Sequence, residues 1–525
     1  MITVVLLIAA LCILAWGLYR SRSYGRLGLL SWFQSLVVAL PWMLFFGLSL
    51  IGIELNLVTI LLLLLGSTGA YIGLGRQMRA IAALQPEEMQ QEEIIQEDVI
   101  KAQTPPEESD RTSQSPSFSQ ASETSASSSL QEASLLTQDM PQKLPPNDAV
   151  KISSMPEEDL QVIKEIFSID TFFSTDQTAY YNGMIFKGNL RGEANRVHQR
   201  LSERLTERMG SKYRLFMMND PASNPPKPIV VVLPSANDPA PSASWQWGIA
   251  GFLFIATTLT CMVAASLFQG FSLFEDWSRW SDTVPLTLGV VLVLVAHEIG
   301  HRVTARRHDI RLGPPFLLPT WQIGSFGGLT RIESVVPSRT ALFDLGFSGP
   351  AVGGGISFLF LVVGLILSHE GSLFQLSPTF FRSSILVGTL ARLMLGGQLQ
   401  NTFVDINPLV IVGWLGLLIT AINVMPVGQL DGGRIVQAIY GRKILRRTSI
   451  VTLIVLAIAT FVNPLALYWM VVILLLQRQL EQPQLNELTE PDDTRAILGL
   501  VALFLMVAML LPLSPELATR LGIGG

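Results

Sequence analysis

Cysteine and charged residues are scarce in this chain. Only 2 of its 525 residues are cysteine, Cys12 and Cys261, and both lie in apolar runs. Their number and placement exclude a disulfide framework and a zinc site built from cysteines. Charged residues make up 15% of the chain and the formal net charge is −5, so no basic surface is available for nucleic acid. The composition is instead that of a mostly apolar protein.

Long apolar runs recur along the whole sequence. Hydrophobic residues make up 49% of it, and the mean hydropathy is +0.43. A helix needs about 20 apolar residues to cross a hydrocarbon core, and runs near that length predict about nine transmembrane helices. They lie at about 2–18, 36–53, 57–74, 247–270, 285–303, 345–367, 409–425, 449–477 and 495–514. The sequence therefore predicts a polytopic α-helical membrane protein that contacts the lipid bilayer.

The composition changes twice between the apolar blocks. One stretch is rich in Glu, Gln, Ser and Pro, which predicts a disordered acidic linker. The next carries helix and strand patterns, including one strand over 179–190, and predicts a small cytoplasmic α/β domain that modulates access. The predicted order is N-terminal transmembrane helices (1–80), linker (81–155), α/β domain (156–235), intramembrane core (247–477), and C-terminal loop with a transmembrane helix (478–525).

Positively charged residues set the expected orientation. They follow the 285–303 and 409–425 helices, so the ends of both helices face the cytoplasm. The acidic loop at 481–493 is then expected on the outer face, unless Asn463-Pro464 splits the preceding span into a helical hairpin. The apolar run that starts at Ile2 argues against a transit peptide. A bacterial plasma membrane is the simplest location, with a thylakoid membrane as the alternative.

The strongest local signal is the motif HEIGH, which runs from His297 to His301 after an uncharged apolar stretch. Residues four apart share one face of a helix, so both imidazoles can bind one Zn²⁺ while Glu298 reaches the water beside it. The motif lies about 18 Å along a helix that begins near Pro285, past the middle of the bilayer. Ionisable side chains at that depth are candidate functional residues. The alternative is a helix end solvated at the interface.

A third zinc ligand is needed, and Asp431 is the better candidate. His308 lies seven residues after His301, which does not fit the extended H-E-x-x-H motif, and is better explained as a cytoplasmic helix-end residue. The helix before Asp431 covers about 21 Å up to Asn423 and so reaches nearly the depth of His297. Glycines and a proline then end the helix. Irregular backbone at that depth in a membrane is stable only when it is buried in protein or lines a water-filled cavity. A helix N-cap at the interface is the alternative interpretation of Asp431.

These motifs resemble the site-2 protease family of intramembrane zinc metalloproteases, peptidase family M50. HEIGH in one span, with Asn423-x-x-Pro426 and Leu430-Asp431-Gly432 in a later one, carries the resemblance. Four further segments are similar to the cyanobacterial and plastid branch, which includes the plant ethylene-dependent gravitropism-deficient and yellow-green proteins. They are GNLRGE (188–193), GSFGGLTRI (324–332), FSGPAVGG (347–354) and LDGGRIVQAIYG (430–441). The resemblance extends from about Gly188 to Lys443.

The resemblance implies roles for five residues. His297, His301 and Asp431 would bind one Zn²⁺ per chain. Glu298 would be the catalytic base, and Asn423 would help to hold the substrate or the oxyanion. The implied reaction is hydrolysis of a peptide bond in or near the transmembrane segment of a single-span membrane protein, at a site towards the cytoplasmic side.

Residues 314–336 lack a spanning helix but carry prolines, glycines and alternating strand-like residues. They predict a re-entrant β-hairpin that could pair with a locally unwound substrate by strand addition. An ordinary cytoplasmic loop is the alternative.

Two other function classes compete with proteolysis. A non-proteolytic membrane chaperone or scaffold with a protease fold would be indicated by a damaged H-E-x-x-H motif or a missing aspartate, and neither is seen. A transporter would relay ions through intramembrane Glu and Asp, but the sequence shows no internal repeat and the zinc-ligand spacing counts against it. The sequence leaves the substrate, the cleavage site and the oligomeric state open.

Overall fold

The computed structural model describes residues 14–21 and 25–50, scattered residues between 67 and 78, and 155–523 apart from 221–222, 224–225, 462 and 475–479. The chain divides into two compact units, Met1–Gln120 and Ala121–Gly525. In the first unit, residues 14–21 are helical and helix α1 spans Gly25–Leu50. Most of the predicted 2–18 and 57–74 spans, and residues 81–154 of the predicted linker, lie outside the described residues.

The second unit begins with a small α/β domain. It comprises α2 (Glu157–Ile166), β1 (Phe172–Tyr180), β2 (Gly183–Leu190), α3 (Ala194–Met209), β3 (Tyr213–Asn219) and β4 (Pro228–Pro234). The strands form an antiparallel sheet in the order β1-β2-β4-β3. Apolar residues at helical spacing, such as Val197, Leu201 and Leu205, bury one face of α3 in the core that it shares with the sheet. The domain is thus a two-layer structure with β3 at one edge of its sheet.

The single strand predicted over 179–190 is wrong, because the chain turns between β1 and β2. Tyr180 pairs with Gly183, and Tyr181 between them has φ of 49°. That left-handed conformation belongs to tight hairpin turns. Asn182-Gly183 is a turn signal that the strand pattern concealed.

The remainder of the second unit is mainly helical. Its helices are α4 (Ser244–Phe268), α5 (Trp280–Arg307), α6 (Arg339–Leu367), α7 (Ile385–Leu395), α8 (Pro408–Asn423), α9 (Asp431–Tyr440), α10 (Arg442–Ala459), α11 (Pro464–Val472), α12 (Asp493–Leu510) and α13 (Pro515–Arg520). Four short strands accompany them: β5 (Phe316–Thr320), β6 (Gly324–Leu329), β7 (Phe374–Leu376) and β8 (Val404–Ile406). Strands β5 and β6 form one antiparallel hairpin, and β7 pairs with β8.

Four helices among the described residues are long and apolar enough to cross a membrane. They are Ser244–Phe268, Trp277–Arg307, Arg339–Leu367 and Asp493–Leu510. Helix α8 is apolar but only 16 residues long. The chain therefore fits a membrane protein, while the number of about nine spans stays a prediction.

Helix α6 organises the helical part of the second unit. It packs against α5, α8 and α9, and small residues allow the backbones to approach closely. A Cβ built on Gly413 of α8, for example, would lie 2.3 Å from the backbone nitrogen of Leu361 in α6. Because α5 and α9 meet α6 on neighbouring faces, residues far apart in sequence are brought together beside it.

The predicted span at 449–477 is divided in two. Helix α10 ends at Ala459 and α11 begins at Pro464, with the Asn463 side chain accepting a hydrogen bond from the backbone N–H of Leu465. The two helices pack against each other, so the chain reverses here, as the Asn463-Pro464 alternative predicted.

The reversal changes the side on which the acidic loop lies. The backbone N–H of Met217 in β3 donates to the carbonyl of Leu485 over 2.7 Å. The loop is therefore beside the α/β domain. The sequence placed the loop at 481–493 and the α/β domain on opposite faces, and the structure instead places them on the same side.

The β5–β6 hairpin occupies the segment predicted to form one. Phe316 pairs with Leu329, and Thr320 with Gly324. Both strands pack against α4, and β6 also packs against α8. Its insertion into the membrane remains a prediction.

Candidate active site

Helices α5 and α9 bring the three predicted zinc ligands together. His297 and His301 are one turn apart on α5, and their Nε2 atoms are 3.1 Å apart. Asp431, the first residue of α9, places its Oδ2 3.1 Å from His297 Nε2 and 3.3 Å from His301 Nε2. All three side chains are buried. Three ligand atoms of the types that zinc prefers therefore converge on one point.

The spacing of these atoms fits a tetrahedral zinc ion. Bonds of about 2.0–2.1 Å put neighbouring tetrahedral ligands about 3.3 Å apart, close to the 3.1–3.3 Å observed here. His301 also donates its Nδ1–H to the carbonyl of Leu345 over 2.8 Å. That bond leaves the lone pair of Nε2 directed at the site, which is the tautomer a metal requires. The residues present thus fit a zinc site.

Glycines on α6 make room for the imidazoles. A Cβ built on Gly349 would lie 2.2 Å from His301 Nε2 and 2.7 Å from His297 Nε2. One built on Gly353 would lie 2.8 Å from the His297 Cβ. The segment FSGPAVGG therefore forms the wall of the site, and a side chain at Gly349 would occupy the space that the ligands need.

Glu298 lies beside the ligands and is not one of them. Its Oε2 accepts a hydrogen bond from the Thr330 hydroxyl over 2.8 Å. Its Oε1 is buried and has no hydrogen-bond partner among the described residues. Glu298, His301 and Asp431 line one small cavity with Asn423 and Gly328. A carboxylate held by one oxygen while the other has no hydrogen-bond partner among the described residues is available to take up a proton.

Asn423 connects the hairpin to α8. Its Nδ2 donates to the carbonyls of Phe326 in β6 and Ile419 in α8, over 3.0 and 2.8 Å. Gly327 has φ of +98°, and a Cβ there would lie 2.2 Å from Asn423 Nδ2. Both amide hydrogens are engaged, so a bond to an oxyanion would require one of them to be released. The predicted role of Asn423 towards substrate stays a prediction.

Two family models match parts of this chain. Residues 285–462 match peptidase family M50, and residues 161–239 match the EGY3 middle domain. The probable zinc metalloprotease EGY1, chloroplastic, of Arabidopsis thaliana is 34% identical over 401 residues, covering 70% of this chain and 73% of the relative. The chain belongs to peptidase family M50. The resemblance to the site-2 proteases, and with it the class of zinc metalloprotease, is confirmed at the level of family.

Other plant relatives of this M50 peptidase cover similar lengths. The probable zinc metalloprotease EGY2, chloroplastic, of Arabidopsis thaliana is 36% identical over 365 residues, 68% of this chain and 65% of the relative. The probable zinc metallopeptidase EGY3, chloroplastic, from the same plant is 31% identical over 368 residues, 65% of this chain and 63% of the relative. The chain thus spans about two thirds of the length of these curated relatives. No solved structure matches it.

Sequence reasoning missed two buried charged residues of the M50 site. Arg434 and Glu481 are 5% and 7% exposed, and the guanidinium lies 3.5 Å from Asp431 Oδ1. A charged residue directly after two glycines in an apolar segment was the available signal for Arg434. No local pattern distinguishes Glu481 from the other acidic residues of its loop.

We expect Gly349→Ala to weaken zinc binding by about tenfold or more, the scale of change seen when ligand orientation is disturbed. The added methyl would meet both imidazoles, so at least His301 must move. Competition with a zinc chelator measures the affinity. Gly355→Ala is the matched control, because it lies on the same helix and its added Cβ would meet nothing within 4 Å. Equal affinities in the two variants would show that α6 does not shape the site.

Proposed function

We propose that this M50 peptidase hydrolyses a peptide bond in or near the transmembrane segment of a single-span membrane protein. One observation carries the proposal: His297, His301, Asp431 and Glu298 meet in a buried cluster. The two histidines and Glu298 lie on a helix long and apolar enough to cross a membrane. An intact ligand set and the M50 match favour proteolysis over a chaperone or scaffold that keeps only the fold.

His297, His301 and Asp431 would hold a zinc ion, which would polarise the scissile carbonyl and make it easier for a water molecule to lose a proton and attack that carbonyl. Glu298 would take up the proton of the attacking water at Oε1, which has no hydrogen-bond partner among the described residues, and would pass it to the leaving amine. Thr330 keeps the carboxylate in place by donating to Oε2. Burial of the cluster keeps bulk water out of the step.

The substrate would bind in an extended conformation. A transmembrane helix hides its carbonyls in its own hydrogen bonds, so the segment must unwind before attack. Strand β6 runs past the base, since a Cβ on Gly328 would lie 2.5 Å from Glu298 Oε1. A substrate strand added alongside the β5–β6 hairpin would thus lie close to the base and the zinc ligands.

The proposed orientation puts the site towards the cytoplasmic side of a bacterial plasma membrane or a thylakoid membrane. Helix α5 ends in Arg306 and Arg307, a little beyond His301. Positive residues at a helix end favour the cytoplasmic side.

The test uses purified protein, zinc and a single-span substrate labelled at both ends. Product masses should locate the cut in or near the apolar segment. A matched substrate whose helix-breaking Gly and Pro residues are replaced by Leu should be cut about tenfold more slowly or worse, because its helix is harder to unwind. Cutting confined to the water-exposed flanks, or equal rates for both substrates, would contradict the proposal.

A further inference from the structure

The acidic loop after α11 contacts a buried arginine of the active site. We call residues 481–490 the strap. Its first residue, Glu481, accepts from Nε of Arg434 over 2.9 Å, and Nη2 of the same guanidinium is also 2.9 Å from that carboxylate oxygen. Nη2 further donates to the backbone carbonyl of Thr330 over 2.8 Å. The buried guanidinium is thus shared between the strap and the segment that follows β6.

Arg434 is connected to both functional carboxylates. On one side its Nη1 lies 3.5 Å from Asp431 Oδ1, the oxygen opposite the one that faces the histidines. On the other side it fixes the backbone of Thr330, whose hydroxyl holds Glu298 Oε2. Partners that orient metal ligands and bases in this way are known to tune metal affinity and activity.

The strap itself is held from two sides. Towards the α/β domain, Met217 of β3 donates to Leu485 and accepts from the backbone N–H of Glu487. Towards the intramembrane core, Leu485 and Asn486 donate to the carbonyls of Val336 and Pro337 over 3.0 and 3.1 Å. The strap therefore contacts the edge strand β3 through an isolated bridge between Asn486 and Met217, and Glu481 enters the core from this support.

We propose that Glu481 and Arg434 are positioning residues of the active site. Glu481 fixes the guanidinium, and the guanidinium in turn orients Asp431 as a zinc ligand and, through Thr330, Glu298 as the base. This inference builds on the proposed protease function and adds to it the way in which a loop more than forty residues beyond the last zinc ligand enters the site.

The test compares Glu481→Gln with Glu490→Gln. Glutamine at 481 keeps the shape and removes the charge that fixes Arg434. Glu490 is on the same strap, pairs with Arg339 and has a side chain that is 73% exposed. We expect Glu481→Gln to lower kcat by about 10- to 100-fold on the transmembrane substrate with KM unchanged, and to speed zinc loss to a chelator by a similar factor. Glu490→Gln should match the wild type in both measurements.

The possible outcomes separate the inference from the proposed function. Wild-type kcat and chelator rates in a folded Glu481→Gln protein would overturn the inference, and so would a raised KM with unchanged kcat. If the wild type cuts no transmembrane substrate, the proposed function fails, but the chelator rates still test the positioning role. If Glu481→Gln does not fold, the Arg434→Gln/Glu481→Gln double variant replaces it, because no unpaired charge is then left buried. The same loss of kcat and of zinc retention is expected there, and wild-type values would overturn the inference.

Discussion

Glu298→Gln is expected to abolish cleavage while the fold and the metal content stay as in the wild type. Glutamine has the shape of glutamate, and the Thr330 hydroxyl can still donate to its side-chain oxygen. The substitution removes the basic carboxylate and none of the three zinc ligands. Loss of a positioned base costs about 100- to 10,000-fold in rate. The measurement is turnover of a model transmembrane substrate together with elemental analysis of the same preparation.

A second glutamate gives the control for this experiment. Glu370 lies exposed just beyond the end of α6, and Glu370→Gln should retain full turnover. Turnover within a few-fold of the wild type for Glu298→Gln, with zinc present, would remove Glu298 from the mechanism.

The double variant His297→Ala, His301→Ala is expected to lose the zinc ion. Two of the three converging ligands are then missing, and one carboxylate cannot hold zinc against a chelator. Elemental analysis should fall from one zinc per chain to none. Cleavage should be lost with it, since the metal supplies the polarisation of the carbonyl.

His308→Ala is the matched control for zinc binding. Its imidazole is paired with Asp344 at 3.1 Å and is not among the converging ligands. The variant should therefore keep its zinc. Undiminished zinc in the double variant, or loss of zinc from His308→Ala, would contradict the assignment of the ligands.

The ligand set could be predicted because each part of it follows from local geometry. The spacing of His297 and His301 fixes a shared helix face, and helix rise alone placed Asn423 near their depth. The structure brings Asp431 to His297 although 134 positions separate them. The bond from Arg434 to Glu481 spans 47 positions and depends on where the chain turns back after α10. No periodic pattern in the sequence predicts a contact of this kind.

The fold, like the site, could be predicted from the sequence only in part. Long apolar helices such as α4 and α6 were predictable from hydropathy. The acidic loop was expected on the face opposite the α/β domain because charge alone was used to choose its side, whereas backbone hydrogen bonds to Met217 and Val336 place it beside that domain. The turn at Tyr181 was missed because strand-forming residues, Tyr180 before it and Ile185 after it, flank the Asn182-Gly183 turn signal.

The strap also bears on the order in which the enzyme is completed during synthesis. The ribosome makes the HEIGH helix and Asp431 well before Glu481. Until that residue emerges, Arg434 has no strap carboxylate to compensate the burial of its charge. Breaking a buried ion pair by removing one partner costs about 3–5 kcal/mol. A nascent or truncated chain would therefore carry every zinc ligand in a site that is not yet stable. Completion of the site is in this way delayed until Glu481 has been made.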